Sequence, residues 1–234
     1  MLIAIHQPQY LPWLGYLDKI DKAEVFVILD NVQFKKNEWQ NRNRIKTTQG
    51  WQWITVPVLH KFPEKVNEVR INNNTNWNRK HLQALITNYS KSLYFADYNK
   101  FFEDIFSRSW DRLIDINIEV IKFLISALEL KTRLVIASDL DLREEPTERL
   151  IDICKTPGGE KYLAGRDGSK YMNLEKFDEE GIDIIFQDFK HLVYNQLYGD
   201  FEPGMSAIDL LFNCGDKSLE ILRGHHEKET KQEI

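Results

Sequence analysis

His6 is the sharpest candidate for chemistry in the sequence. It follows the apolar run Leu2-Ile3-Ala4-Ile5 and opens the polar, proline-bearing stretch HQPQYLP. An imidazole titrates near neutral pH and can serve as general base, general acid or phosphate contact. The plainer alternative is a histidine that hydrogen-bonds its own loop. Asp30 closes a second apolar run, Val25-Phe26-Val27-Ile28-Leu29. If the two runs are neighbouring strands, its carboxylate reaches His6 and orients the imidazole, a common pairing. The alternative is an aspartate that caps a turn. A third group is Gln40-Asn41-Arg42-Asn43-Arg44, flanked by Lys35, Lys36 and Lys46 and preceded by Trp39. Planar guanidinium forks suit phosphate or carboxylate. A diphosphate or acyl phosphate is the expected ligand, against the alternative of a solvated basic loop.

Other residues add to this set. Tyr10, Trp13 and Trp39 are candidates for a wall that stacks on a sugar or base. Thr147-Glu148-Arg149 starts a helix, where backbone N–H groups could hold an anion; a capping role is the alternative. Trp77, Lys80 and His81 read as helix-start packing first and as a site contact second. Tyr194 and Gln196 are polar among apolar neighbours. Asp209 lies on an otherwise apolar helix and demands a buried partner, an arginine being the expected one. Cys154 and Cys214 lack zinc spacing and read as reduced core thiols, with a catalytic cysteine as the minority reading. There is no P-loop, no G-x-G-x-x-G, no nucleophile elbow and no H-E-x-x-H. No His/Asp/Glu spacing demands a metal, and no cofactor is expected.

These residues need elements to position them. Leu2–Ile5 and Val25–Leu29 suit buried parallel strands. Between them Pro12 suits a helix start, and Trp13, Leu17 and Ile20 recur at helical spacing. The pair forms one βαβ unit, and ligands of open α/β sheets sit outside the carboxyl ends of the strands. Phe34–Arg44 is expected as a basic lid over that site. Trp51–Val58 and Val69–Ile71 read as strands. Trp77–Tyr89, Leu93–Ser107 (mostly from Asp97) and Asp111–Leu130 read as helices. Beyond them come strands at Thr132–Ser138, Lys161–Ala164 and Ile182–Gln187. Helices are expected at Thr147–Cys154, Met172–Glu180 and Ser206–Asn213. The spacing predicts residues 1–75 as the first half of an α/β core, 76–131 as a helical subdomain, 132–224 as the second half and 225–234 as a disordered tail.

The composition is that of an ordinary soluble domain: 234 residues, 42% hydrophobic, 29% charged, net charge -5. The acidic balance argues against duplex nucleic acid or an anionic membrane as the main partner. The start lacks the basic and apolar regions of a signal peptide, and apolar patterns break well before membrane-spanning length. A cytoplasmic protein is expected.

The blocks HQPQYLPWLGYLDKI (6–20), DNVQF and NEWQNRNRIK (30–46), WNRKH (77–81), TERL (147–150), YLAGRDGSKY (162–171), YNQ (194–196) and SAIDLLFNCG (206–215) together resemble the WbqC-like protein family. The resemblance runs nearly end to end. Its members are typically encoded with surface-polysaccharide genes, O-antigen clusters among them. It implies a role in making or decorating an activated sugar, and by position His6, Gln7, Tyr10, Trp13, Tyr16, Asp30, Gln33, Asn41, Arg42 and Lys46 match its motif residues. A weaker similarity links Leu2–Phe34 to HIGH-motif nucleotidyltransferases and pantothenate synthetase-like ligases. Trp13-Leu14-Gly15-Tyr16 stands where their H-x-G-H would, so both histidines are missing. The expected fold is α/β, a Rossmann-like, mostly parallel sheet flanked by helices, with a helical middle subdomain.

The expected activity is transfer of an acyl or aminoacyl group to the amine of a nucleotide-linked amino sugar, with the acyl donor and the oligomeric state left open. His6 would be base and Asp30 its orienter. Arg42 and Arg44 would clamp the diphosphate. Gln7, Tyr10, Trp13, Tyr16, Gln33, Trp39, Asn41, Lys46, Thr147, Tyr194 and Gln196 would line the substrate. The alternatives are an ATP-dependent nucleotidyltransferase or ligase, and a non-catalytic nucleotide-sugar-binding protein.

Overall fold

The computed structural model describes residues 1–224, and the tail expected from His225 lies outside the described residues. The chain begins with β1 (Leu2–His6), α1 (Leu14–Lys22) and β2 (Val25–Ile28). A hairpin of β3 (Arg42–Thr47) and β4 (Gly50–Thr55) follows, then a two-residue ladder of β5 (Val58–Leu59) and β6 (Arg70–Ile71). Three helices come next: α2 (Trp77–Tyr89), α3 (Phe95–Ser107) and α4 (Leu113–Ala127). The remainder alternates, with β7 (Arg133–Ile136), α5 (Pro146–Lys155), β8 (Lys161–Ala164), α6 (Leu174–Glu179), β9 (Asp183–Phe186), α7 (Ala207–Cys214) and α8 (Ser218–Leu222).

The main sheet is five-stranded in the order β7-β2-β1-β8-β9, and every pairing in it is parallel. The chain builds outward from β1 to β2 and β7, then returns to β8 on the other side. The order therefore reverses between β1 and β8, which is the topological switch point of a Rossmann-like sheet. β1 and β2 are short apolar runs because both faces of the sheet are covered. Ala4, Phe26 and Ile28 point into a core shared with α1 and with Phe102, Leu124 and Phe212 of α3, α4 and α7. Ile3, Ile5, Val25 and Val27 point the other way, against Leu150, Ile151 and Cys154 of α5 and Phe177 of α6. The helical segment expected as a subdomain over 76–131 thus shares one apolar core with the α1 face. Among the described residues no helix is long and apolar enough to cross a membrane.

Two local differences from the sequence reading have plain causes. The strand expected over Trp51–Val58 stops at Thr55, because the Val56 N–H turns to Asn41 O and Pro57 offers no donor. The helix expected from Met172 starts at Leu174, because the Asn173 side chain accepts from Glu175 N and caps the helix there. At the start of α1, Gly15 lies under the indole of Trp13, and a Cβ there would come within 2.3 Å of the ring. That close approach fixes how the loop after β1 enters the helix.

The aromatic part of the helical layer gathers around Phe102. Phe102 is fully buried and meets Phe101, Phe106, Phe123 and Phe212 at centroid distances of 5.2 to 6.2 Å. Phe102→Ala is expected to cost about 3–5 kcal/mol, read as a lower midpoint in urea unfolding followed by tryptophan fluorescence.

Candidate functional site

The β1–β8 ladder ends at the Ala4–Leu163 pair. Beyond it the two strands part, and a cavity of about 380 Å³ opens at their carboxyl ends. His6 and Gln7 enter it from the end of β1, Tyr162 from β8, Lys19 from α1 and Arg149 from α5, while Lys35 comes from the segment after β2. Three of these side chains are basic, and among the described residues no Asp or Glu lines the cavity. A smaller cavity of about 200 Å³ adjoins it and shares His6, Gln7 and Lys35, adding Gln9, Glu38 and Trp39. The buried Oε1 of Gln9 has no hydrogen-bond partner among the described residues.

His6 is held in a defined state. Its Nδ1 lies 2.9 Å from Gln7 O. A carbonyl only accepts, so Nδ1 carries the proton and Nε2 presents its lone pair. The ring packs edge-on against Tyr16 at 5.0 Å. Burial, with help from the positive charge of Lys19 and against the Gln7 contact, lowers the His6 pKa to about 4. The imidazole is therefore neutral at physiological pH. Gln7 is fixed in turn: its Oε1 accepts from Gln40 Nε2 at 2.6 Å, and Gln40 Oε1 accepts from Lys35 N at 2.8 Å. Tyr10 N–H donates to Trp39 O at 3.1 Å. The segment from Phe34 to Gln40 is thus stitched over the His6–Tyr10 loop.

Asp30 is elsewhere. Its carboxylate accepts from Ser138 N at 2.9 Å, Ser138 Oγ at 2.7 Å and Asn67 Nδ2 at 3.2 Å, and it makes no hydrogen bond to His6. The orienting partner expected for the imidazole is instead the Gln7 carbonyl. Asp30 ties the end of β2 to the turn after β7, so the turn-capping alternative describes its geometry. Arg42 and Arg44 also miss the crevice. Arg42 lies 4.2 Å over the Trp53 ring and Arg44 5.0 Å over Trp51, with Trp39 beside Trp53 at 5.5 Å. The guanidiniums are held on the hairpin by indole faces, and the basic side chains that line the crevice are Lys19, Lys35 and Arg149.

The remaining expected residues divide between the loop and the core. Tyr16 packs under His6. Tyr10 is buried and donates to His81 Nδ1 at 2.8 Å, while His81 Nε2 donates to Thr55 O. Trp13 packs edge-on against Phe189, Gln33 is exposed, and Asn41 donates to Val56 O. Lys46 is buried with its amine on Gln196 Oε1 and Asp200 O. Asp209 finds two tyrosines and not an arginine: Tyr89 and Tyr194 each donate to it at 2.8 Å. Burial pushes the Asp209 carboxyl up, and these hydroxyls oppose the shift. Thr147 accepts from Asn173 N, and the first-turn N–H of Glu148 is taken by the Glu145 carboxylate, which occupies the place an anion would take. Among the described residues no His/Cys/Asp/Glu cluster has metal-holding geometry.

Lys19 is the crevice residue that the sequence reading passed over. It is 2% exposed, and its Nζ donates to Ile5 O at 2.8 Å. Burial lowers its pKa to about 7. A signal exists in the sequence: Lys19 falls three and four residues after Tyr16 and Gly15, on the buried stripe of α1.

The two roles considered for Asp30 separate experimentally. Asp30→Ala leaves the Ser138 donors and the Asn67 amide without their acceptor, and is expected to cost about 2–4 kcal/mol in urea unfolding. The His6 pKa, followed by its imidazole NMR shifts, should not move by a unit in the folded variant; a larger fall would restore the orienting role.

The model of the WbqC-like protein family matches residues 7–221. The chain is 38% identical over 225 residues to the uncharacterized protein Rv1507c of Mycobacterium tuberculosis (strain ATCC 25618 / H37Rv), covering 94% of this chain and 97% of the relative. No solved structure matches the chain. With the match running from the loop after β1 into α8, the chain belongs to the WbqC-like protein family, a membership that suggests a role in polysaccharide biosynthesis.

Proposed function

We propose that the chain is a transferase that binds a nucleotide-linked amino sugar in the β1–β8 crevice and moves an acyl or aminoacyl group onto the sugar amine. The observation that carries this reading is one neutral imidazole with a free Nε2 beside Lys35 and Arg149, in a cavity with no acidic wall. Arg149 is held along one edge, its Nε donating to Arg143 O at 3.4 Å and its Nη2 to Glu144 O at 2.7 Å, and forms no ion pair among the described residues. Its other donors are left for a diphosphate, with Lys35 as the second cation. Trp39, on the wall of the smaller cavity, supplies an indole for the sugar or base.

In the reaction the amine nitrogen attacks the donor's carbonyl carbon, a C–N bond forms, and the carbonyl pair moves to oxygen. His6 Nε2 takes the proton that the nitrogen sheds. The carbonyl then re-forms, the bond to the leaving group breaks, and the leaving group takes the proton from His6. The Gln7 side-chain amide, fixed through its Oε1 by Gln40, is the donor on the same loop for the developing oxyanion.

The test is a thermal-shift screen of UDP- and dTDP-amino sugars, followed by a mass-spectrometric assay for the acylated sugar with activated acyl donors. His6→Ala is expected to lower kcat about 100- to 10,000-fold, while Lys35→Ala and Arg149→Ala mainly raise KM. Equal turnover by His6→Ala would remove the base. A ligand-induced shift with no turnover would make the chain a binding protein, and release of AMP or pyrophosphate from ATP would make it a ligase.

A further inference from the structure

The reaction above gives no task to the one amine at the floor of the crevice. Lys19 Nζ donates to Ile5 O, a carbonyl that is free because the β1–β8 ladder has already ended at Ala4–Leu163. An ammonium has three N–H donors, and this is its only hydrogen bond among the described residues. The groups facing it are His6 on β1, Cys154 on α5 and Tyr162 on β8, whose ring centroid lies 5.9 Å away. Across the cavity stand Lys35 and Arg149. On its own helix Asp18 is engaged by Lys22 and Gln187. None of these is a carboxylate paired with Lys19. A buried amine with no counter-charge is unfavourable in its charged form, and this one opens onto a cavity walled by cations and neutral groups.

We propose that Lys19 is the oxyanion-binding residue of the crevice, and that its amine takes up a proton from solvent as a phosphate-class oxyanion docks against it. The ligand brings the counter-charge that the fold omits. No covalent bond changes; one proton moves from water to nitrogen and the ion pair closes. Protonation of Lys19 also keeps His6 neutral, because the two lie in one cavity and the lysine charge lowers the imidazole pKa. One incoming proton is thereby directed to the lysine and away from the base. The inference rests on the nucleotide-sugar reading only for the natural ligand, not for the role of Lys19.

Calorimetric titration with sulfate and with UDP-glucose tests it, since neither probe ionises between about pH 5 and 8.5. In that window Lys19 is the shifted lining group that changes charge: His6 titrates at about 4, Cys154 is pushed up to about 12 and Tyr162 well above the usual range. For the wild type, affinity should be flat below about pH 7 and fall about tenfold per unit above it. At pH 8, buffers of different ionisation enthalpy should report close to one proton taken up per ligand. Lys19→Met should bind about 10- to 100-fold more weakly at pH 6 and lose the slope. Its fold is checked by thermal unfolding. In the wild type the unfolded chain holds the lysine proton between about pH 7 and 10.5 and the folded chain does not, so wild-type stability rises with pH there. Measured against Lys19→Met, wild-type stability should therefore rise with pH from about 7 to 10.5. A pH-independent wild-type affinity, a slope retained in Lys19→Met, or no binding of either probe overturns the proposal. Sulfate binding with proton uptake but no binding of UDP-glucose upholds Lys19 and discards the nucleotide-sugar reading, so the two fail separately.

Discussion

The parting of β1 from β8 after the Ala4–Leu163 pair is the constraint on which the rest of the site depends. A parallel sheet whose order reverses cannot keep its central ladder closed once the crossovers leave in opposite directions. The break frees Ile5 O, and a buried carbonyl must find a donor. Lys19 supplies it from the face of α1, through the gap itself. At the edge of the same break His6, still paired with Ile28 of β2, turns its Nδ1–H onto Gln7 O. Cavity, amine and imidazole tautomer therefore all follow from the switch point.

The charges around this opening are sorted by sign. Arg143 pairs with Asp152 and Glu148, Lys155 with Glu180, and Lys176 with Glu145 and Glu148, all on the outer face of α5 and α6. Such exposed pairs contribute little to stability. What they accomplish is to occupy acidic residues away from the cavity, leaving Arg149 and Lys35 without carboxylate partners among the described residues. A chain of net charge -5 thus carries a cationic hollow, and in a low-dielectric cleft such a hollow focuses its field on an anion.

Most of the fold was legible in the sequence, and the site only in outline. Strands β1, β2 and β8 are short apolar runs, α2 and α4 have clear helical spacing, and the loop after β1 was placed correctly at the carboxyl edge. Partners were harder. Asp30 and His6 end adjacent strands, but sequence gives no direction to a side chain, and Asp30 turns to Ser138, more than a hundred residues on. Arg42 and Arg44 looked like a phosphate clamp because the tryptophans that cover them, Trp51 and Trp53, lie on the returning strand of the hairpin; only the register Arg44–Trp53 and Lys46–Trp51 reveals the stacking. Lys19 was overlooked because a lysine in an amphipathic helix is ordinarily solvated.

The buried polar cluster distant from the cavity explains how the hairpin can hold its place without a large apolar face. Lys46 reaches Gln196 and Asp200 O, Gln196 holds Glu202 N at 2.8 Å, and Tyr194 and Tyr89 close on Asp209. Tyr89 OH also accepts from Lys46 N. β3, α2, α7 and the segment before α7 are thereby joined through one network whose members satisfy one another, the condition under which buried polar groups hold a structure rigid. Because Asn43, between Arg42 and Arg44, also donates to Leu11 O at 2.6 Å, the network extends to the loop that carries His6. The motif residues outside the cavity, Lys46, Tyr194 and Gln196, thus bear on the site through the backbone they hold: they fix the hairpin, and the hairpin fixes the loop from which the imidazole projects.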